Sequence, residues 1–97
     1  MLQYFYSYVL LLSNRRLYNG YTDDLRRRLR EYQLGKVKST QYLRPVQLIF
    51  YEAFLNELDA RRRERYFKTD KGKKMIRVML REFLQSSEKN KPLSSNG

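Results

Sequence analysis

Residues Tyr4 to Leu12 run Tyr-Phe-Tyr-Ser-Tyr-Val-Leu-Leu-Leu, apolar with no helical spacing, which predicts a strand buried on both faces. Ser13-Asn14-Arg15-Arg16 then reads as a turn, and Leu17 to Tyr21 as a second short strand close enough to fold back as an antiparallel hairpin. Thr22 is placed to cap the helix that follows, with Asp23 and Asp24 in its first turn, where the aligned peptide dipoles favour negative charge. That helix is expected to run to about Leu34 and to stop at Gly35, which can adopt a left-handed terminating conformation. After a basic loop, Lys36 to Arg44, Pro45 leads into a third strand, Val46 to Phe54, in which Val46, Leu48 and Phe50 alternate with Gln47, Ile49 and Tyr51. Asn56 is the expected cap of a second helix through Lys68. A polar break at Thr69-Asp70-Lys71-Gly72 separates it from a third, Lys73 to about Gln85, with Ile76, Met79, Leu80, Phe83 and Leu84 at helical spacing.

The order β-β-α-β-α-α predicts an α/β fold, a small three-stranded antiparallel sheet flanked by helices that cover its apolar faces. Residues 1–85 form the expected domain. Residues 86–97, mostly Ser, Lys and Asn, are expected to be a disordered polar tail.

Several polar side chains fall where the periodicity calls for apolar ones. Leu25 and Leu29 define the buried stripe of the first helix, and Arg28 and Tyr32 share its side. Arg28 either snorkels to water over its own stem or offers its planar fork to a phosphate. On the second helix Glu64 shares a face with Ala60 and Phe67 while Arg61, Arg62, Arg63 and Arg65 surround it. It either pairs with these neighbours or holds one divalent cation. Alternation puts Tyr6 and Tyr8 on one face with Leu10 and Leu12, where tyrosines can simply fill a core. Gly20, two residues after Tyr18, marks a place where another backbone or a ligand comes close to the strand.

Charge narrows the partner. The chain has 21 Lys plus Arg against 10 Asp plus Glu, a formal net charge of +11, which points to a polyanion and foremost to nucleic acid. Arg27, Lys36, Lys38, Arg44, Arg61, Arg62, Lys71, Lys73 and Lys74 are the expected phosphate contacts. The absence of cysteine and histidine excludes disulfides, zinc sites built on those residues and histidine-based acid–base pairs. The apolar run near the start is too short to span a membrane and lacks the features of a signal peptide, so a cytoplasmic location is expected.

Tyr6-Ser7-Tyr8 on one strand, Tyr18-Asn19-Gly20 on the next and Arg28 on the following helix together resemble the GIY-YIG nuclease domain. The likeness continues through Tyr21-Thr22-Asp23-Asp24-Leu25, Gly35-Lys36, Arg44-Pro45, Tyr51-Glu52-Ala53-Phe54 and Arg63-Glu64, from about residue 4 to residue 84. Ser7 and Asn19 depart from the bulkier apolar residues frequent at those places. The chain is similar to the small stand-alone bacterial members and to the N-terminal nuclease module of the bacterial excision nuclease. The resemblance implies that Tyr8, Tyr18, Arg28, Tyr32 and Glu64 are catalytic and that Glu64 holds one Mg²⁺ or Mn²⁺. It further implies a metal-dependent endonuclease acting on DNA, in repair or processing, without strong sequence preference. The alternative is a non-catalytic nucleic-acid-binding module on the same scaffold.

Overall fold

The computed structural model of the chain describes residues 2–89. Its elements are β1 (Phe5–Leu11), β2 (Leu17–Thr22), α1 (Leu25–Gln33), β3 (Gln47–Phe54), α2 (Glu57–Phe67), α3 (Asp70–Met79) and α4 (Arg81–Lys89). The sheet order is β2-β1-β3, with both pairings antiparallel. This is the α/β arrangement that the pattern of residues predicts, with one helix more than expected.

β1 is the central strand, which explains its uninterrupted apolar run: both of its faces are covered, so neither needs polar residues. On one face Tyr8, Leu10 and Leu12 pack with Tyr32 of α1 and with Val46, and Leu25 and Leu29 close the cluster. On the other face Val9 meets Phe67 of α2 and Ile76 of α3. Full burial of a large aliphatic or aromatic side chain contributes about 1.5–3 kcal/mol, so these two small cores hold the sheet between its helices. Val9 pairs with Phe50 and Leu10 with Leu48, leaving Ile49 as the extra residue of a bulge in β3.

The helix ends differ in detail from expectation. Asp24, not Thr22, caps α1, its side chain accepting from the Arg27 amide at 3.1 Å. Thr22 is still part of β2, and its hydroxyl accepts from the Asp24 amide at 3.1 Å, fixing the turn between strand and helix. Gly35 ends the helix with φ +75°, its amide bonded to the Tyr32 carbonyl at 3.1 Å. Asn56 caps α2 by accepting from the Leu58 amide at 2.8 Å.

The stretch expected as a break after α2 is the first turn of α3. Thr69 caps it, accepting from the Gly72 amide at 3.0 Å. Gly72 is buried where α3 meets the end of α2, and a Cβ there would lie 2.6 Å from the Tyr66 carbonyl carbon. Its small size, rather than conformational freedom, is what the position requires. The expected long third helix is interrupted at Leu80, whose backbone leaves helical geometry. α4 then continues through Lys89, past the boundary at residue 86 expected for a tail; residues 90–97 of that tail lie outside the described residues. No described helix is long and apolar enough to cross a membrane.

Candidate active site

Strand pairing sets Tyr8 opposite Gly20 and Leu10 opposite Tyr18. With no side chain on Gly20, the Tyr8 phenol passes over the β2 backbone toward α1. There its hydroxyl meets that of Tyr32 at 2.7 Å, both residues being only 1% exposed. The Tyr18 ring stands edge-on to Tyr32, with centroids 5.9 Å apart. Tyr8 and Tyr32 make a similar edge contact at 6.0 Å, so Tyr32 is the centre of a three-ring cluster. Tyr18 is less deeply buried, and its hydroxyl lies 3.1 Å from Ser39 Oγ.

Arg28 precedes Tyr32 by one helical turn, and its guanidinium sits 5.1 Å from the centroid of the Tyr32 ring. Its Nη1 donates to Glu31 Oε1 at 2.9 Å. The Glu31 carboxylate, against the opposing effect of partial burial, raises the Arg28 pKa and keeps the group charged; the Tyr8 hydroxyl beside it acts in the same direction. Burial, and then the hydrogen bond with Tyr8, push the Tyr32 phenol well above the ordinary tyrosine range. Tyr32 therefore remains protonated and can act as a hydrogen-bond donor.

Glu64 comes from the opposite layer. Its face of α2 carries the fully buried Ala60 and Phe67, and its side chain is 15% exposed. The Asn19 amide of β2 donates to the Glu64 main-chain carbonyl at 3.0 Å, fastening this turn of α2 to the strand that carries Tyr18. The carboxylate holds Lys68 at 2.5 Å. Glu64 raises the Lys68 pKa, and Tyr18 and Tyr8 add smaller contributions of the same sign. The Lys68 ammonium thus lies within electrostatic reach of the carboxylate and the tyrosine cluster together.

Among the described residues no group of three or more His, Cys, Asp and Glu converges as a metal-binding cluster. A single carboxylate is nonetheless a suitable donor set for magnesium, which takes one or two protein carboxylates and fills its shell with water and substrate phosphate oxygens. Lys68 shows that a cation is already stabilised against Glu64, and its side chain, 58% exposed, has room to leave.

Tyr6 does not join this cluster; it stands edge-on to Tyr51 at 6.0 Å. Of the expected phosphate contacts, Arg27 pairs with Asp23 at 3.2 Å, Arg61 with Glu57 at 2.7 Å and Arg62 with Asp59 at 2.8 Å. Arg61 also covers the Tyr21 ring at 4.1 Å. Arg44 donates to the carbonyls of Gln33 at 3.1 Å and Gln41 at 2.9 Å and lies against Gly35, so it ties the basic loop to the end of α1. Lys36, Lys38, Lys71, Lys73 and Lys74 are exposed. Sequence reasoning missed Glu31, Ser39, Lys68 and Asn19. The partners Glu31 and Lys68 were legible as charges three and four residues along a helix from Arg28 and Glu64.

Residues 4–77 match the GIY-YIG catalytic domain, so the chain belongs to the GIY-YIG family of nucleases. The family acts on nucleic acid and generally uses a divalent metal. The chain is 37% identical over 78 residues to the UPF0213 protein in ldhD 5′region of Pediococcus acidilactici, covering 77% of this chain and 80% of that one. It is 43% identical over 70 residues to a UPF0213 protein of Bacillus pumilus, covering 71% of each, and 43% identical over 67 residues to one of Streptococcus pyogenes, covering 68% and 73%. No solved structure matches.

Proposed function

We propose that this protein is a cytoplasmic, metal-dependent endonuclease that hydrolyses DNA phosphodiester bonds, structure-selective or non-specific, in repair or processing. The observation that carries this reading is the meeting of the Tyr8–Tyr32 pair, Tyr18 and Arg28 at the edge of the sheet to which Asn19 fastens the Glu64 turn. Packing alone does not require a charged guanidinium over a buried phenol, or a carboxylate on an apolar helix face.

In this proposal Arg28, held by Glu31, binds the scissile phosphate and stabilises the negative charge that develops on its oxygens. Tyr18 is the less buried phenol and orients the attacking water. Tyr32 shares a hydrogen bond with the Tyr8 hydroxyl and holds that side chain under Arg28, so both buried tyrosines act by positioning. Glu64 is the ligand for a divalent cation, Mg²⁺ or Mn²⁺, with Lys68 moving aside. Such an ion, when bound, supplies positive charge that polarises the phosphate.

The test is plasmid nicking by protein purified free of contaminating nuclease. Cleavage is expected with Mg²⁺ or Mn²⁺, is expected to stop with EDTA, and is expected to be lost in Glu64→Gln while DNA binding persists. Cleavage by Glu64→Gln at the wild-type rate overturns the metal role, and chelator-insensitive cleavage overturns the mechanism.

A further inference from the structure

A cavity of about 220 Å³ opens on the opposite face of the sheet from Tyr8, between the β1–β2 turn and α3. Its floor is the apolar cluster of Val9, Phe67 and Ile76. Four cations line it, Arg15 and Arg16 from the turn and Lys73 and Arg77 from successive turns of α3, and no acid among the described residues does. On α1 and α2, Arg27, Arg28, Arg61, Arg62 and Arg63 have carboxylate partners, while Arg26, Arg30 and Arg65 are exposed.

Resting on the nuclease reading above, we propose that this cavity is a second phosphate site, which holds a backbone phosphate of the substrate strand away from the phosphate that is cut. Cations with no acid between them sum their potential, and an apolar floor strengthens it by keeping the local dielectric low. The volume is large enough for a phosphate group of the strand. Asn19 lines the cavity and also bonds the Glu64 main-chain carbonyl, so a phosphate held here adjoins the turn of α2 that carries Glu64.

Arg15 provides an independent observation. It is the one described residue other than glycine with positive φ, at +71°. An L-residue with a Cβ costs about 1–2 kcal/mol there, and glycine or asparagine would relieve that cost. Asn14 is adjacent but instead supports the turn, its side chain accepting from the Arg16 amide at 3.0 Å. The Arg15 guanidinium donates to Ser87 Oγ of α4 at 3.0 Å, a neutral partner. A cationic side chain is thus kept at a strained position beside the cavity. Covering the floor with its stem would not call for an arginine at that dihedral.

The test combines binding and spectroscopy. Affinity for a labelled single-stranded oligonucleotide is measured by fluorescence anisotropy against salt for wild type, Lys73→Gln/Arg77→Gln, Arg15→Gly and a control, Arg26→Gln/Arg30→Gln, which removes the same charge from α1. The cavity double variant is expected to bind about tenfold more weakly and to lower the salt slope by about 1 or more, through lost phosphate contacts. Arg15→Gly is expected to bind more weakly with a melting temperature unchanged or higher. Equal losses in the cavity and control doubles would show general charge alone and overturn the site. In ¹⁵N-labelled wild type, amides of Asn19, Lys73 and Arg77 are expected to shift with oligonucleotide at concentrations far below those needed with inorganic phosphate. No shift there with either probe overturns the site. Shifts with inorganic phosphate in a protein that binds no nucleic acid would leave a free-phosphate site and overturn the nuclease reading instead.

Discussion

Gly20 faces Tyr8 across the β1–β2 ladder so closely that a Cβ on residue 20 would lie 2.6 Å from the Tyr8 ring carbon Cζ. The glycine backbone has no positive φ to explain it, so the space it leaves for a phenol is what the position demands. Gly20→Ala is therefore expected to push Tyr8 away from Tyr32 and to tilt the platform under Arg28. Overpacking of this kind costs about 1–3 kcal/mol in stability, and a displacement near 1 Å at a reacting centre can lower the rate by about 10²-fold. Nicking rates and thermal melting of Gly20→Ala measure both; wild-type values for each would remove Tyr8 from the proposed site.

Tyr32 makes stability depend on pH in the alkaline range. In the unfolded chain its phenol ionises near the ordinary value of about 10, while burial and the Tyr8 hydrogen bond hold the folded-state value far above that. Between the two values the folded state binds the extra proton, so this contribution is fully present below about pH 10 and is lost as pH rises beyond it. The limiting loss for one such group is about 1.4 kcal/mol per pH unit. Urea unfolding from pH 8 to 11 should show a shallower decline in Tyr32→Phe than in wild type. Tyr21, also raised chiefly by burial, contributes to the decline that remains. Identical slopes in the two proteins would mean that Tyr32 is not held as a buried phenol.

The sheet and its capping residues were largely legible because they rest on local rules. β1 showed its burial in an apolar run without helical period, Asn56 occupied a cap position, and Gly35 ended a helix. The misreadings have different causes, and at Gly72 a tertiary contact overrides a local signal. Gly72 looked like a break because glycine disfavours helix interiors, yet it is the residue that allows α3 to approach the Tyr66 carbonyl. The interruption at Leu80 leaves the apolar spacing intact on both sides, so periodicity could not reveal it. In the site, Tyr8, Tyr18, Arg28, Tyr32 and Glu64 stood out as motif residues or as polar groups on apolar stripes. Ser39 did not, because its approach to Tyr18 is made by an irregular loop. Net charge also hid the acidic partners of Arg27, Arg61 and Arg62, which lie three or four residues away at a spacing visible in the sequence that charge counting ignores.

Ser7 provides a stability prediction independent of catalysis. It is fully buried in β1, and its hydroxyl oxygen has no hydrogen-bond partner among the described residues. Leaving such a group unpaired costs about 1–3 kcal/mol, so Ser7→Ala should stabilise the fold by about 1 kcal/mol, allowing for a small cavity. For a domain of this size that is a rise of about 4–8 °C in melting temperature. Calorimetry decides it, and a lower melting temperature in the alanine variant would show that the hydroxyl has a partner in solution.

Lys68 and the proposed metal ion compete for one carboxylate. The ammonium sits 2.5 Å from Glu64 Oε2, so a divalent cation entering there must displace it and then tolerate its charge nearby. Lys68→Gln removes both obstacles. Lys68 is the C-cap of α2 with a side chain 58% exposed, so the substitution should cost no more than about 1 kcal/mol, chiefly the lost pairing with Glu64. Electrostatics of one unit charge at this range predicts a severalfold to tenfold lower Mn²⁺ concentration for half-maximal nicking, because about 1.4 kcal/mol corresponds to a factor of ten. The maximal rate distinguishes two roles. If it is unchanged while the Mn²⁺ requirement falls, Lys68 occupies the metal position only in the ion's absence. If the rate falls as well, the displaced ammonium takes part in binding the phosphate. A Mn²⁺ requirement unaltered by Lys68→Gln would place the ion elsewhere and detach Glu64 from metal binding.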